Sequence, residues 1–197
     1  MTARWRARGP LANPTYEGLA TVGNHPPRRR RDAVSLAGRY AERSAKGSFS
    51  QPAAPTVRNR GLIVGPFGRG KTSPVAATDV ARVVAAVLAD PGPHLGRIYE
   101  LTGPRSQDMH GVAREFSDAL NREITYADIP AEEWERGIKK WGVPEHLTRH
   151  LVAMGELHRA GRYDRLADGV ERVTGRPAIS VREFVSLHAD EFGGRRS

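Results

Sequence analysis

With 197 residues, the chain has length for one domain with a hydrophobic core, or for a smaller domain and a tail. Its formal charge of +9 is unevenly spread: residues 1–60 hold 12 Lys and Arg against 3 Asp and Glu, whereas residues 61–197 hold 19 of each sign. All of the net charge therefore belongs to the first sixty residues, and the absence of cysteine excludes disulfides and thiolate metal sites.

No run approaches the roughly 18 apolar residues of a membrane helix, and the arginine-bearing start lacks the apolar core of a secretory signal. The expectation is a soluble, cytoplasmic protein without a membrane partner. Residues 1–58 mix Pro, Gly, Ser and Arg with scattered apolar residues such as Leu11, Leu19, Val22, Val34 and Leu36. Such a segment buries too little surface to offset its ordering entropy, so it is expected to be basic and mostly disordered. Val34 with Ala37 and Leu36 with Tyr40 permit one short helix over residues 32–42.

Regular punctuation begins at Gly61. Leu62, Ile63 and Val64 predict a short strand that ends in the turn Gly65-Pro66-Phe67-Gly68-Arg69-Gly70. Val80, Val83, Val84, Val87 and Leu88 recur as one face of a helix, predicting a buried stripe, with Thr78 or Asp79 at its positive end. Asp90-Pro91-Gly92-Pro93 stops that helix, and residues 97–102 have strand composition up to the Gly103-Pro104 break. Ser106 is a fitting N-cap for a helix carrying Met109, Val112, Ala113, Phe116 and Leu120. Residues 124–128 form the third predicted strand.

After Pro130 the character is helical. Glu132 and Glu133 suit a helix start on which Trp134, Ile138 and Trp141 share a face, and Pro144 opens another helix with Leu147, Leu151, Met154 and His158 at helical spacing. A shorter helix with Leu166, Val170 and Val173 is closed by Gly175. Ser180 and Glu183 form a capping box for the last helix, which carries Phe184, Val185, His188 and Phe192. Strand, helix, strand, helix, strand and then helices is an α/β order, yet too few strands for a doubly wound domain.

Several motifs carry chemistry in other settings. Gly65 through Thr72 matches the phosphate-cradling GxxxxGK[ST] pattern, but Ser73-Pro74 follows where a helix N-terminus should receive the phosphate, so a strand-to-helix connection is the better account. His146 and His150 share a helix face, but Leu147 stands where a zinc protease carries Glu and no third ligand is apparent. Ser106, Asp108 and His110 crowd one helix start and cannot form a hydrolase triad. The arginine run at positions 28–31, with Arg4, Arg6 and Arg8, offers charge to nucleic acid but little aromatic interleaving beyond Trp5, so a solvated tail is expected in preference to a nucleic-acid partner. A G-x-G-x-x-G dinucleotide fingerprint is absent: Gly68 and Gly70 are followed by Lys71, Thr72 and Ser73.

The stretch from Gly65 to Ala81, the Ile98-Tyr-Glu-Leu-Thr-Gly-Pro104 segment, Ser106 to Leu120, Tyr126 to Pro130, His158 to Tyr163, and Val173 to Pro177 before Ser180-Val-Arg-Glu-Phe184 resemble NmrA-like, atypical short-chain dehydrogenases. The resemblance runs in order from about Asn59 to Phe192 and covers the substrate-side half of that family. It implies an incomplete Rossmann-like α/β fragment: 1–58 a basic segment, 59–192 the C-terminal part of an NAD(P)-binding fold with a helical substrate lobe, and 193–197 a tail. It also implies that the segment like residues 62–64 pairs in parallel with the one like 125–128, and that the one like 98–102 joins a main sheet. Phe67, Ser73, Trp134 and Tyr163 become substrate-pocket candidates, with Asp79 at a helix start outside the chemistry.

Family members carry a strand, a glycine-rich phosphate loop and further strands ahead of this region, and residues 1–58 show none of these. The resemblance therefore implies an oxidoreductase or redox-sensor relative lacking its dinucleotide-binding half, a truncated or upstream-replaced gene product inactive by itself. No catalytic residue, no metal and no cofactor is expected for this chain alone, whereas full-length relatives use NADP or NAD. The alternative is a non-enzymatic interaction module, in which a partner chain or a second copy covers the sheet face left exposed.

Overall fold

A computed structural model describes residues 50–194 apart from positions 141 and 143. The proposed helix at 32–42, the arginine run at 28–31 and Trp141 lie outside the described residues. Among those described, the order is α1 (Ser50–Arg60), β1 (Leu62–Gly65), α2 (Ala77–Ala89), α3 (Met109–Leu120), β2 (Thr125–Asp128), α4 (Ala131–Lys139), α5 (Glu145–Arg159), α6 (Gly169–Thr174) and α7 (Val181–Leu187), then a 3-10 turn over Ala189–Phe192.

The two strands form an open parallel pair with Leu62 opposite Thr125 and Gly65 opposite Asp128. The architecture is thus the α/β fragment expected, mostly helical with few strands, but it has two strands where three were predicted. Residues 97–102 pair with no strand among those described, and Ile98 is 96% exposed. Strand composition expresses a preference for extended backbone, and without a neighbouring strand to bond to such a segment forms no ladder. The 97–102 segment is held by the Thr102 hydroxyl, which donates to the Ala167 carbonyl at 2.9 Å.

The core sits between α3, the strand pair, α1 and the C-terminal turn. Met109, Val112, Ala113 and Phe116 form the buried stripe of α3, and Phe116 meets Phe192 edge to face at 5.1 Å. Helix α3 starts two residues later than Ser106 suggests: Asp108 caps it by accepting from the Gly111 N–H, and Ser106 instead donates to Asp164 Oδ1 at 2.5 Å. Buried Glu115 accepts from the Arg182 N–H at 2.8 Å and from Gln107 Nε2 at 2.7 Å, fixing the start of α7, whose Ser180–Glu183 capping box forms with both bonds.

Helix α1 begins ahead of the order expected from Asn59. Proline inside it, at Pro55, and a polar composition hide it from pattern reading, yet Ala53 and fully buried Val57 insert into the core, and Arg122 Nη2 donates to the Val57 carbonyl at 2.7 Å. Packing supplies what propensity does not.

Helix α2 also departs from expectation. Its valine stripe is only partly covered: Val83 is buried and Val80 and Val87 half-buried, but Val84 is 46% and Leu88 49% exposed, and the helix packs on α6. No side chain caps it, while Asp79 stands at its positive end as expected. Asp79 is buried in the first turn, where its carboxylate pairs with Arg82 and accepts from the Ile179 N–H at 2.9 Å.

Candidate functional site

The site is built where β1 and β2 end side by side. Gly65 at the tip of β1 admits the ring of Phe67, which would lie 2.1 Å from a Cβ at that position, so the turn folds back over its own strand. Beneath it stands Tyr126 of β2. Its hydroxyl accepts from the Phe67 N–H at 2.9 Å and lies at donor distance from the Gly65 carbonyl, 2.8 Å, and from Asp128 Oδ1, 3.0 Å. Asp128 Oδ1 also accepts from the Gly68 N–H at 3.0 Å and from Arg159 Nη2 at 2.5 Å, while Arg159 Nε donates to the Pro66 carbonyl at 2.9 Å.

Burial, reinforced by Asp128, pushes the Tyr126 hydroxyl well above the usual phenol value, so it stays protonated. Partial burial works to raise the Asp128 carboxyl, but the Arg159 guanidinium and the Gly68 N–H outweigh it and hold the group below the usual carboxylate range.

This network decides the phosphate-loop question. The N–H groups of Phe67, Gly68, Gly70 and Thr72 donate to Tyr126, Asp128, the Phe67 carbonyl and the Gln107 carbonyl in turn. Helix α2 starts only at Ala77. A phosphate cradle needs free, convergent N–H groups at a helix start, so the turn does not fit a pyrophosphate, and the described residues hold no other glycine-rich turn after a strand.

Helix α5 closes the other side. Gly155 faces Pro66, 2.9 Å from where a Cβ would stand, and buried His158 sits against the turn with Nε2 3.1 Å from the Gly70 carbonyl. A carbonyl only accepts, so Nε2 carries the proton and Nδ1 is the acceptor. Burial pushes the imidazole below its ordinary value, against the pull of the Gly70 carbonyl, and the ring is neutral at pH 7.

Four rings then run in contact along one wall. Trp134 meets Phe67 edge to face at 5.7 Å, Phe67 lies tilted on His158 at 4.8 Å, and His158 meets Tyr163 edge to face at 6.0 Å. They border a cleft of about 850 Å³, completed by Ile63 and Val64 of β1, Met109 of α3, Ile138 of α4, Leu151 and Met154 of α5, and Ala53 and Thr56 of α1. Arg60, Arg136 and Lys140 line it as cations and Glu133 as a carboxylate. The size and apolar character suit a small organic ligand.

Of the four sequence-derived pocket candidates, Phe67, Trp134 and Tyr163 border this one cleft. Ser73 does not; its hydroxyl donates to the Arg165 carbonyl at 2.5 Å, while its neighbours Thr72, Pro74 and Val75 reach the cleft. Sequence reasoning missed His158 as a site residue. Its signal was a titratable residue on the helical stripe of Leu147, Leu151 and Met154. Arg60 of α1 carried no signal. His146 and His150 are both exposed, and no group of three metal-ligating side chains gathers among the described residues.

No protein-family model matches the chain. It is 37% identical over 143 residues to an NAD(P)H azoreductase of Xenophilus azovorans, an alignment covering 71% of this chain and 49% of that protein. It is 25% identical over 135 residues to quinone oxidoreductase 2 of Escherichia coli, covering 68% and 46%. The chain thus spans about half the length of the relatives it matches. The crystal structure of the Escherichia coli NADPH-dependent quinone oxidoreductase complexed with NADPH superposes with a TM-score of 0.64 at 23% identity, over 76% of this chain and 50% of that one, which establishes a shared fold. Over about half of their length, this chain is thus a homologue of NAD(P)-dependent oxidoreductases, quinone-reductase-like Rossmann-fold proteins among them.

Proposed function

We propose that this chain is the substrate-side half of an NmrA-like NAD(P)-dependent oxidoreductase or redox sensor, and that its cleft receives a flat, apolar electron acceptor. One observation carries the reading: Trp134, Phe67, His158 and Tyr163 form a continuous ring wall beside about 850 Å³ of largely apolar space. Planar conjugated molecules stack on such walls, and a neutral imidazole can sit within that wall where a charged one would be costly. In this reading Phe67, Trp134 and Tyr163 contact the acceptor, and Ser73 anchors the wall through Arg165.

The described residues offer nothing that fits a dinucleotide pyrophosphate, so the chain alone neither binds NADPH nor turns over. Titration with NADPH, followed by nucleotide fluorescence, is expected to show no micromolar binding. Calorimetry with 2-methyl-1,4-naphthoquinone is expected to show binding that Tyr163→Ser weakens. Micromolar NADPH binding would refute the inactivity of the chain by itself, and failure to bind the quinone would refute the acceptor site.

The exposed stripe of α2 favours a second reading, compatible with the first. Val84, Leu88, Leu95 and Ile98 stand 46%, 49%, 78% and 96% exposed on α2 and the loop after it, and several large apolar side chains left exposed within one short stretch favour a surface that a partner covers. A partner chain or a second copy occupies this face, whether or not the protein is an enzyme, in the cytoplasm and without nucleic acid. Light scattering checks it, since a strictly monomeric, well-folded sample free of partner argues against it.

A further inference from the structure

We propose that the cleft selects planar aromatic molecules bearing an anionic group at one edge, such as a sulfonate or carboxylate. The inference rests on the acceptor-site reading above and adds the charge of the ligand.

Arg60, Arg136 and Lys140 line the cleft against the single carboxylate of Glu133. All three are exposed, at the ends of α1 and α4, and none has an ion-pair partner among the described residues. Cations in a last helical turn also offset the helix dipole, which accounts for their residue type. It does not account for which of them are tied down. In α4, Lys139 pairs with Glu135 at 2.7 Å, off the cleft, while Arg136 and Lys140 on the cleft are unpaired. In α1, Arg58 donates to the Glu191 carbonyl at 2.6 Å, off the cleft, while Arg60 on the cleft is untied. Each helix thus commits one cation to the protein and leaves its cleft-facing neighbour available.

The setting strengthens their effect. Long cationic side chains lay their stems on apolar surface and keep their heads at the rim, and a low-dielectric floor concentrates the field of the rim charges in the cleft. The floor is neutral, since His158 is held uncharged by burial and Tyr163 is a phenol. A planar ring on the aromatic wall with its anionic edge toward the cations satisfies both parts, whereas a cationic ring would meet like charge.

The test uses the whole chain and three redox-inert probes that share one ring: naphthalene-2-sulfonate, 2-naphthalenemethanol and 2-naphthylmethylammonium, titrated by calorimetry. The sulfonate is expected to bind about tenfold tighter than the alcohol, as a few screened charge contacts allow, and the ammonium more weakly than either. Arg136→Gln combined with Lys140→Gln, both at exposed positions, should bring the sulfonate to within about threefold of the alcohol while leaving the alcohol unchanged, and about 0.5 M salt should do likewise. Equal affinity for sulfonate and alcohol would overturn the charge selection and leave the acceptor site standing. Sulfonate affinity that survives in the double variant, and again when Arg60→Gln is added to it, would place the anion away from the three cleft cations and would also overturn it. Failure of all three probes would sink the acceptor-site reading itself.

Discussion

Replacing Gly70 by alanine probes the contact on which the cleft depends. A Cβ at Gly70 would stand 1.9 Å from the His158 carbonyl oxygen and 2.7 Å from its carbon. Real Cβ contacts essentially never fall under 3.0 Å, so the last turn of α5 and the glycine-rich turn must part by about 1 Å. Both obstructing atoms are backbone, and no side-chain rotation relieves them. The separation stretches the bond from His158 Nε2 to the Gly70 carbonyl and lifts the imidazole off Phe67. Overpacking of this kind costs about 1–3 kcal/mol, and a weakened buried hydrogen bond adds about 1 kcal/mol. With a urea slope of about 1–3 kcal/mol per molar, the midpoint of unfolding followed by circular dichroism should fall by about 1–2 M. Gly137→Ala is the control: it lies inside α4 with nothing within 4 Å of a Cβ, and should gain about 0.5–1 kcal/mol from helix propensity. A Gly70→Ala midpoint indistinguishable from that of the parent would refute the reasoning.

Three further outcomes follow from buried polar groups. Tyr126→Phe removes the hydroxyl that accepts from the Phe67 N–H and one of two donors to the Gly65 carbonyl, which keeps the Ile129 N–H at 3.3 Å, and should cost about 1–3 kcal/mol in chemical denaturation; a loss below about 0.5 kcal/mol would show that the turn relaxes freely. Thr148 is fully buried and its hydroxyl has no partner among the described residues, so Thr148→Val should raise stability by about 1 kcal/mol, seen as a melting temperature several degrees higher. Stability should also depend on pH in two stages. His158 and Asp128 both have folded values below their ordinary 6.5 and 3.8, so the unfolded chain binds more protons and stability falls as pH falls. The His158 share is complete above about pH 6.5 and is lost below it, and the Asp128 share is lost below about pH 3.8. Denaturation midpoints across that range check this, and a stability that rises between pH 7 and 5 would contradict the His158 assignment.

Local chemistry was legible in the amino-acid sequence. The Ser180–Glu183 capping box, the Gly175 stop at φ 69°, and the apolar stripe of α3 all formed, because each depends on residues within a turn or two of one another. The resemblance placed β1 beside β2 and offered Phe67, Ser73, Trp134 and Tyr163 as candidates, of which the folded chain brings all but Ser73 to one cleft.

What only the tertiary structure decided concerns groups far apart along the chain. The glycine-rich turn reads as a phosphate loop until Tyr126 and Asp128, about sixty residues on, take up its N–H groups. Ser106 reads as a cap until Asp164 claims its hydroxyl. The valines of α2 read as a buried face, because periodicity reports which side of a helix is apolar and cannot report whether anything lies against it. Likewise His158 becomes part of an aromatic wall only because Gly70 and Gly155 let α5 approach the turn, a matter of backbone distance that no single residue type encodes.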